Sequence, residues 1–120
     1  MGDGGLKTYC LTLDLHDDPV LIEEYKRHHR PGNIWPKVVD NIMSQGIIRE
    51  EIYLAGTRMV MVLHTTDGFS VAAMVDSHGT DPKMLEWEEL MWKYQRPAPG
   101  ARPGEKWLLM EKIFEVEKSA

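Results

Sequence analysis

The sequence predicts an α+β domain, one antiparallel sheet with helices packed on one of its faces. Three observations predict it. Stretches that alternate apolar and polar residues take turns with stretches whose apolar residues recur at helical spacing. Asp-Pro pairs stand where helices should begin. Glycines stand where helices and strand pairs should end. The chain has 120 residues, 42% of them apolar and 28% charged. That suits one soluble globular domain, 1–120, with a core of its own and residues 1–6 as a flexible tail.

The elements follow in order. Thr8 to Leu15 alternates, with Tyr9, Leu11, Leu13 and Leu15 on one face, and reads as a strand with one dry side. Asp18 caps a helix that Pro19 opens and Pro31-Gly32 interrupts. Pro36 restarts it, the stripe Trp35, Val38, Val39, Ile42 and Met43 faces inward, and Gly46 ends it. Ile47 to Ala55 and Arg58 to His64 are two strands joined by a Gly56-Thr57 hairpin, the second apolar on both faces and therefore central. A short helix runs from Phe69 to about Asp76, Ser77 to Thr80 is a loop, and Asp81-Pro82 opens a helix reaching Tyr94. The proline-rich stretch Pro97 to Gly104 is a long loop of the kind that often carries function. Lys106 to Val116 is the closing strand. The order β-α-β-β-α-β is the ferredoxin-like split βαβ arrangement, a four-stranded antiparallel sheet with helices on one face. Apolar side chains on both sides of several strands point to a second copy packed sheet to sheet, a homodimeric α/β barrel.

Composition narrows the function. A formal charge of −5 argues against nucleic acid as partner, and Lys26, Arg27 and Arg30 read as a solvated helix face. No apolar run approaches the roughly 18 residues of a membrane span, and no secretory signal opens the chain. The single Cys10 suits a reducing compartment, so a cytoplasmic location is expected. The histidines at 16, 64 and 78 have no zinc-helix spacing, and no glycine-rich phosphate loop follows a strand.

The strongest chemical signal is Tyr25 and His29, whose i,i+4 spacing places a phenol and an imidazole on one helical face. An imidazole titrates near neutral pH, and a phenol can orient a hydroxylated ligand. The cluster Trp87-x4-Trp92-Lys93-Tyr94 supplies flat surface of the kind sugars favour. The competing reading of Tyr25 and His29 is structural, packing at a helix–sheet seam. Trp35 and Trp87 read as core, Trp107 as a start to the last strand facing the dimer barrel, and His28 as a surface neighbour.

In Glu23-Glu24-Tyr25-x3-His29, Ile34-Trp35-Pro36, Ile52-Tyr53-Leu54, Met91-Trp92-Lys93-Tyr94 and the final Glu115-Val116, the chain resembles the L-rhamnose mutarotase family. LDLHDDP near the start and ARPGEKW near the end are similar to a branch linked to L-fucose. The resemblance implies a dimeric ferredoxin-like enzyme that needs no cofactor or metal and interconverts the α and β anomers of a 6-deoxyhexose. It implies that His29 is the catalytic proton donor and Tyr25 a substrate-binding residue. A substrate-contacting tyrosine of the family falls on Glu50, and its tandem tryptophan falls on Met91 and Trp92. Glu50 thereby becomes a candidate for the second proton transfer. Two other readings stay open: a non-catalytic dimeric binder of small ligands, and a haem-binding or monooxygenase barrel using His29 or His64.

Overall fold

The alternating stretch near the start forms β1 (Lys7–Leu15) in the computed structural model, which describes residues 6–75 and 81–118. Leu11, Leu13 and Leu15 are buried on its inner side. The loop expected at 77–80 and most of the expected tail at 1–6 lie outside the described residues. Asp18 caps α1 (Pro19–His28), its carboxylate accepting from the backbone N–H groups of Val20 and Leu21. Such a cap is worth about 1 kcal/mol. Pro36 opens α2 (Pro36–Ser44). Gly46 then turns the chain at φ +92°, and a Cβ there would stand 2.7 Å from the Thr66 hydroxyl. Both the conformation and the close approach exclude a side chain.

The hairpin pairs β2 (Ile47–Ala55) with β3 (Arg58–Thr65). Gly56, at φ +61°, fills the first position of the two-residue turn. The second crossover holds α3 (Val71–Val75) and α4 (Pro82–Trp92), the latter capped by Asp81. α3 starts two residues later than the spacing suggests, and α4 ends two residues before the expected Tyr94. The chain closes with β4 (Gln95–Arg96) and β5 (Leu108–Leu109).

Sheet order is β2-β3-β1-β4, with neighbours antiparallel, which is the ferredoxin-like order. β3 is indeed interior. The fourth strand position is shared, since β4 pairs with Asp14 and Leu15 while β5 pairs with Leu11 and Thr12 on the same edge of β1. The stretch between them loops out beside the sheet. This corrects the expectation of a closing strand from Lys106 to Val116. After Leu109 only the Met110 N–H, donating to the Cys10 carbonyl, continues the ladder. The following residues find no strand beside them among the described residues, and Ile113, Phe114 and Val116 are 87%, 78% and 79% exposed.

The helices cover one face. Leu13, Leu15 and Met59 pack there with Tyr25, Val38, Met84, Trp87, Met91 and Tyr94. Each fully buried large side chain contributes roughly 1.5–3 kcal/mol. A second cluster, Leu11, Ile47, Met61, Leu63 and Phe69, continues the core along the sheet. The other face is open, so within one chain the sheet does not close into a barrel. That face is less apolar than expected: beside Val60, Val62 and Cys10 it carries an Arg58–Asp14 ion pair at 2.9 Å and a Glu51–His64 pair at 3.2 Å. Among the described residues, no helix is long and apolar enough to cross a membrane.

Candidate active site

Between the helix-covered face of the sheet and the loop returning to β5 lies a cavity of about 630 Å³. Its size falls within the roughly 300–1,000 Å³ usual for small-molecule sites. His29, Tyr25, Glu50, Met91 and Trp92, scattered in sequence, all line it.

His29 follows α1 as its C-cap. Its Nδ1 lies 2.8 Å from the Tyr25 carbonyl oxygen, one of the carbonyls that a helix end leaves without an intrahelical partner. A carbonyl only accepts, so Nδ1 carries the proton and Nε2 is left free to exchange one. The imidazole packs on the Tyr25 ring at 4.4 Å between centroids and against Trp87 at 5.6 Å. Burial among these rings holds its pKa below the ordinary histidine value, although the Tyr25 carbonyl pulls the other way and His28 adds to the depression. At neutral pH His29 is therefore mostly a base.

Glu50 reaches the cavity through an irregularity in β2. Ile47 pairs with Thr65 and Arg49 with His64, leaving Ile48 as an extra, bulged residue. The bulge resets the alternation, so that Ile47 and Glu50 both face the helices. Among the described residues the Glu50 carboxyl has no hydrogen-bond or ion-pair partner. Burial alone pushes its pKa up to about 7.

Tyr25 is buried, and its phenol is held neutral, first by burial and then by the carboxylates of Glu50 and Glu88. Its hydroxyl accepts from Gln95 Nε2 at 3.0 Å. Trp92, 42% exposed, stands at the rim, while Met91 is buried beneath it. Lys106 is 7% exposed and lies in the wall, hydrogen-bonded to Gln95 Oε1 and ion-paired with Glu88. Its ammonium sits 4.5 Å above the Trp92 ring. Burial lowers its pKa and the Glu88 partner opposes that shift.

Sequence reasoning missed Glu88, Gln95 and Lys106. The one available signal was a lysine separated by one residue from the proline-rich loop and just before Trp107-Leu108-Leu109. Two other expectations need correction. Trp107 lines the cavity and packs on both core clusters instead of facing a barrel. His28 is half-buried, its Nε2 3.1 Å from the Tyr94 hydroxyl, because α1 leans its last turn onto α4. His64 stands on the open face, tied to Glu51 and near Thr8, outside the cavity. Among the described residues no group of three or more His, Cys, Asp or Glu side chains is placed to hold a metal ion.

Known proteins share this fold. A crystal structure of an L-rhamnose mutarotase from Formosa agariphila superposes with a TM-score of 0.66 at 13% identity, covering 92% of this chain and 99% of that one, which establishes a common fold. An L-fucose mutarotase of Xanthomonas campestris is 40% identical over 114 residues, 95% of this chain and 91% of its own length. A UPF0734 protein of Dictyostelium discoideum is 33% identical over 92% of this chain and 90% of its own. The family model described as L-rhamnose mutarotase matches residues 8–116, a span that holds every helix, nearly every strand residue and the whole cavity lining. By that match and these identities, the chain belongs to the L-rhamnose mutarotase family.

Proposed function

We propose that the protein is a sugar mutarotase, interconverting the α and β anomers of a 6-deoxyhexose such as L-fucose or L-rhamnose. The observation that carries the reading is the pairing, in one small cavity, of a histidine held below its usual pKa with a glutamic acid held near 7. Two groups shifted toward each other this way can serve as base and acid at the same pH. Membership of the family and the 40%-identical L-fucose mutarotase support the substrate class.

Opening the pyranose removes a proton from the anomeric hydroxyl and delivers one to the ring oxygen. At neutral pH His29 is neutral and about half of Glu50 is protonated and able to donate. His29 Nε2 takes the anomeric proton as the C1–O5 bond breaks, and Glu50 protonates O5. The aldehyde rotates about C1–C2. Closure on its other face returns both protons, His29 now donating and Glu50 accepting. In this scheme the histidine is the base in opening and donates on closure, to the anomeric oxygen. Tyr25 orients a sugar hydroxyl, and Trp92 with Met91 offers an apolar wall to the C–H face of the ring. The other ionisable groups lining the cavity are Glu88 from α4, and Arg102, Glu105 and Lys106 from the returning loop.

Saturation-transfer NMR on L-fucose and L-rhamnose, with D-glucose and D-ribose as controls, tests the reading. The parent protein should accelerate anomer exchange of a 6-deoxyhexose. His29→Ala should lose at least about a hundredfold of that acceleration. An equally active His29→Ala variant would falsify the assignment.

We further place the working protein in the cytoplasm as a homodimer. Support for the second copy comes from the apolar arm after β5 and from Ile48 and Tyr53 exposed along the edge strand β2. Sedimentation of the intact chain at micromolar concentration should give twice the mass of one chain, and a single-chain mass would remove the dimer.

A further inference from the structure

The wall of the cavity contains a run of polar contacts that the reaction as derived above does not use. Glu88 meets the Lys106 ammonium, Lys106 meets Gln95 Oε1, and Gln95 Nε2 meets the Tyr25 hydroxyl at 3.0 Å. Gln95 and Lys106 are both almost completely buried, 4% and 7% exposed, in a core whose other buried polar side chains among the described residues are Thr12 and Thr65. Burying two such groups is costly unless each finds partners, and here each does.

The run has a direction, and the donor inventory fixes it. An ammonium has three donors and no acceptor, so it accommodates only the oxygen end of a carboxamide. With Oε1 held by Lys106, the NH₂ end must face Tyr25. The phenol oxygen is then the acceptor, and its own hydrogen has to point elsewhere. Tyr25 lines the cavity, so that hydrogen is available to an acceptor inside it. Glu88 supplies the countercharge that keeps the buried Lys106 a cation, and Trp92 lies under the same ammonium at 4.5 Å.

We propose that Lys106 is a positioning residue which, through Gln95, polarises the orientation of the Tyr25 hydroxyl so that it donates its hydrogen bond to an oxygen of the bound sugar. The proposal deepens the mutarotase reading and rests on it for the identity of the ligand. It also accounts for the ARPGEKW segment, in which the proline-rich loop delivers one lysine to the cavity wall. The direction of one hydrogen bond matters for specificity because a site that only donates at that point selects a sugar presenting an acceptor there.

Gln95→Glu tests it with almost no change of shape. The carboxylate still accepts from Lys106 but has no hydrogen to give Tyr25, so the phenol turns its hydrogen onto the carboxylate and away from the sugar. Anomer-exchange kinetics should then show a loss of about tenfold, the usual scale for one such contact, and the same as for Tyr25→Phe. The loss should fall on KM more than on kcat, because a contact kept from bound sugar to transition state is uniform binding. The double variant Gln95→Glu/Tyr25→Phe should be no worse than Tyr25→Phe alone, whereas two independent structural defects would multiply. Full activity in Gln95→Glu, or multiplying losses, overturns the proposal.

A second measurement does not depend on the reaction. In the free parent protein the Gln95 side-chain amide should give one slowly exchanging pair of proton resonances, and Lys106→Met should abolish that protection by freeing the amide to flip. Should Lys106→Met fail to fold, shifts of the same resonances in Tyr25→Phe report the contact instead. An unprotected Gln95 amide in the parent sinks the proposal, and so does a Gln95 amide indifferent to Tyr25→Phe. A protected amide in a protein that leaves anomer exchange unaccelerated sinks the mutarotase reading and keeps the network.

Discussion

Glu50 and Glu51 are joined by one peptide bond and face opposite sides of the same strand. Glu50 points under the helices, has no partner among the described residues, and is pushed up to about 7 by burial. Glu51 points to the open face, where hydrogen bonds from His64, Arg49 and Tyr53 surround it and hold its pKa below the usual carboxylate value, His64 contributing most. The two histidines differ in the same way. His29 packs against aromatic rings with one nitrogen unpartnered among the described residues, while His64 is paired with a carboxylate at one nitrogen and near Thr8 at the other. Either face therefore carries both a histidine and a glutamate. Only the inner pair is unengaged with each other among the described residues, and both of its members line the cavity. The outer pair turns the same chemistry on itself.

The difference can be broken most severely from the inside. Glu50→Gln should lower anomer exchange by about 10²–10⁴-fold, the range for removing a general acid, as measured by saturation-transfer NMR. Full activity in that variant would show that Glu50 is a bystander. The pH profile sharpens the contrast next. If His29 must be neutral and Glu50 protonated, kcat/KM falls as pH drops through a His29 value below 6.5 and falls again as pH rises past about 7. Whatever exchange survives in Glu50→Gln should lose the alkaline limb and keep the acid one.

Stability gives a third, opposite-signed test of the same residue. Glu50 has a folded pKa raised above its unfolded value, so its contribution is fully present below about 4.5 and is lost as pH rises through about 7. Above pH 8 the parent carries a buried carboxylate. Glu50→Gln should then be more stable by up to roughly 3 kcal/mol, the free-energy equivalent of moving a carboxyl from 4.5 to about 7. Denaturant unfolding at pH 8.5 and pH 4.5 should show that gap opening at the higher pH and closing at the lower. The smallest effect belongs to the outer face. Glu51→Gln removes exposed hydrogen bonds and should leave anomer exchange within about twofold and the melting temperature within about 2 °C. A Glu51→Gln variant as inactive as Glu50→Gln would place the chemistry on the wrong face.

Much of the fold was legible because local rules and tertiary packing agree. Asp18-Pro19 and Asp81-Pro82 open helices, Gly46 ends one, and Gly56-Thr57 turns the hairpin, each for a reason confined to a few neighbouring residues. The Tyr25–His29 pair was legible for the same reason, since helical periodicity alone brings the rings together. Lys106 was not. Nothing near it in sequence shows that Glu88 and Gln95, from the middle of α4 and from β4, converge on its ammonium. The closing strand was misjudged because alternation describes a segment's fitness to pair, while pairing needs a neighbour, and after Met110 the chain has left the edge of β1.

The sequence by itself determined the order of elements, their caps and turns, and the helical face that joins phenol to imidazole. These are short-range matters settled by backbone sterics, hydrogen-bond donors and apolar period. The tertiary structure alone decided which glutamate enters the cavity. Strict alternation from the buried Ile47 would turn Glu50 outward and Glu51 inward. The extra residue Ile48, set by how β2 registers against β3, reverses that. A register is a property of two strands at once, and no reading of one strand contains it.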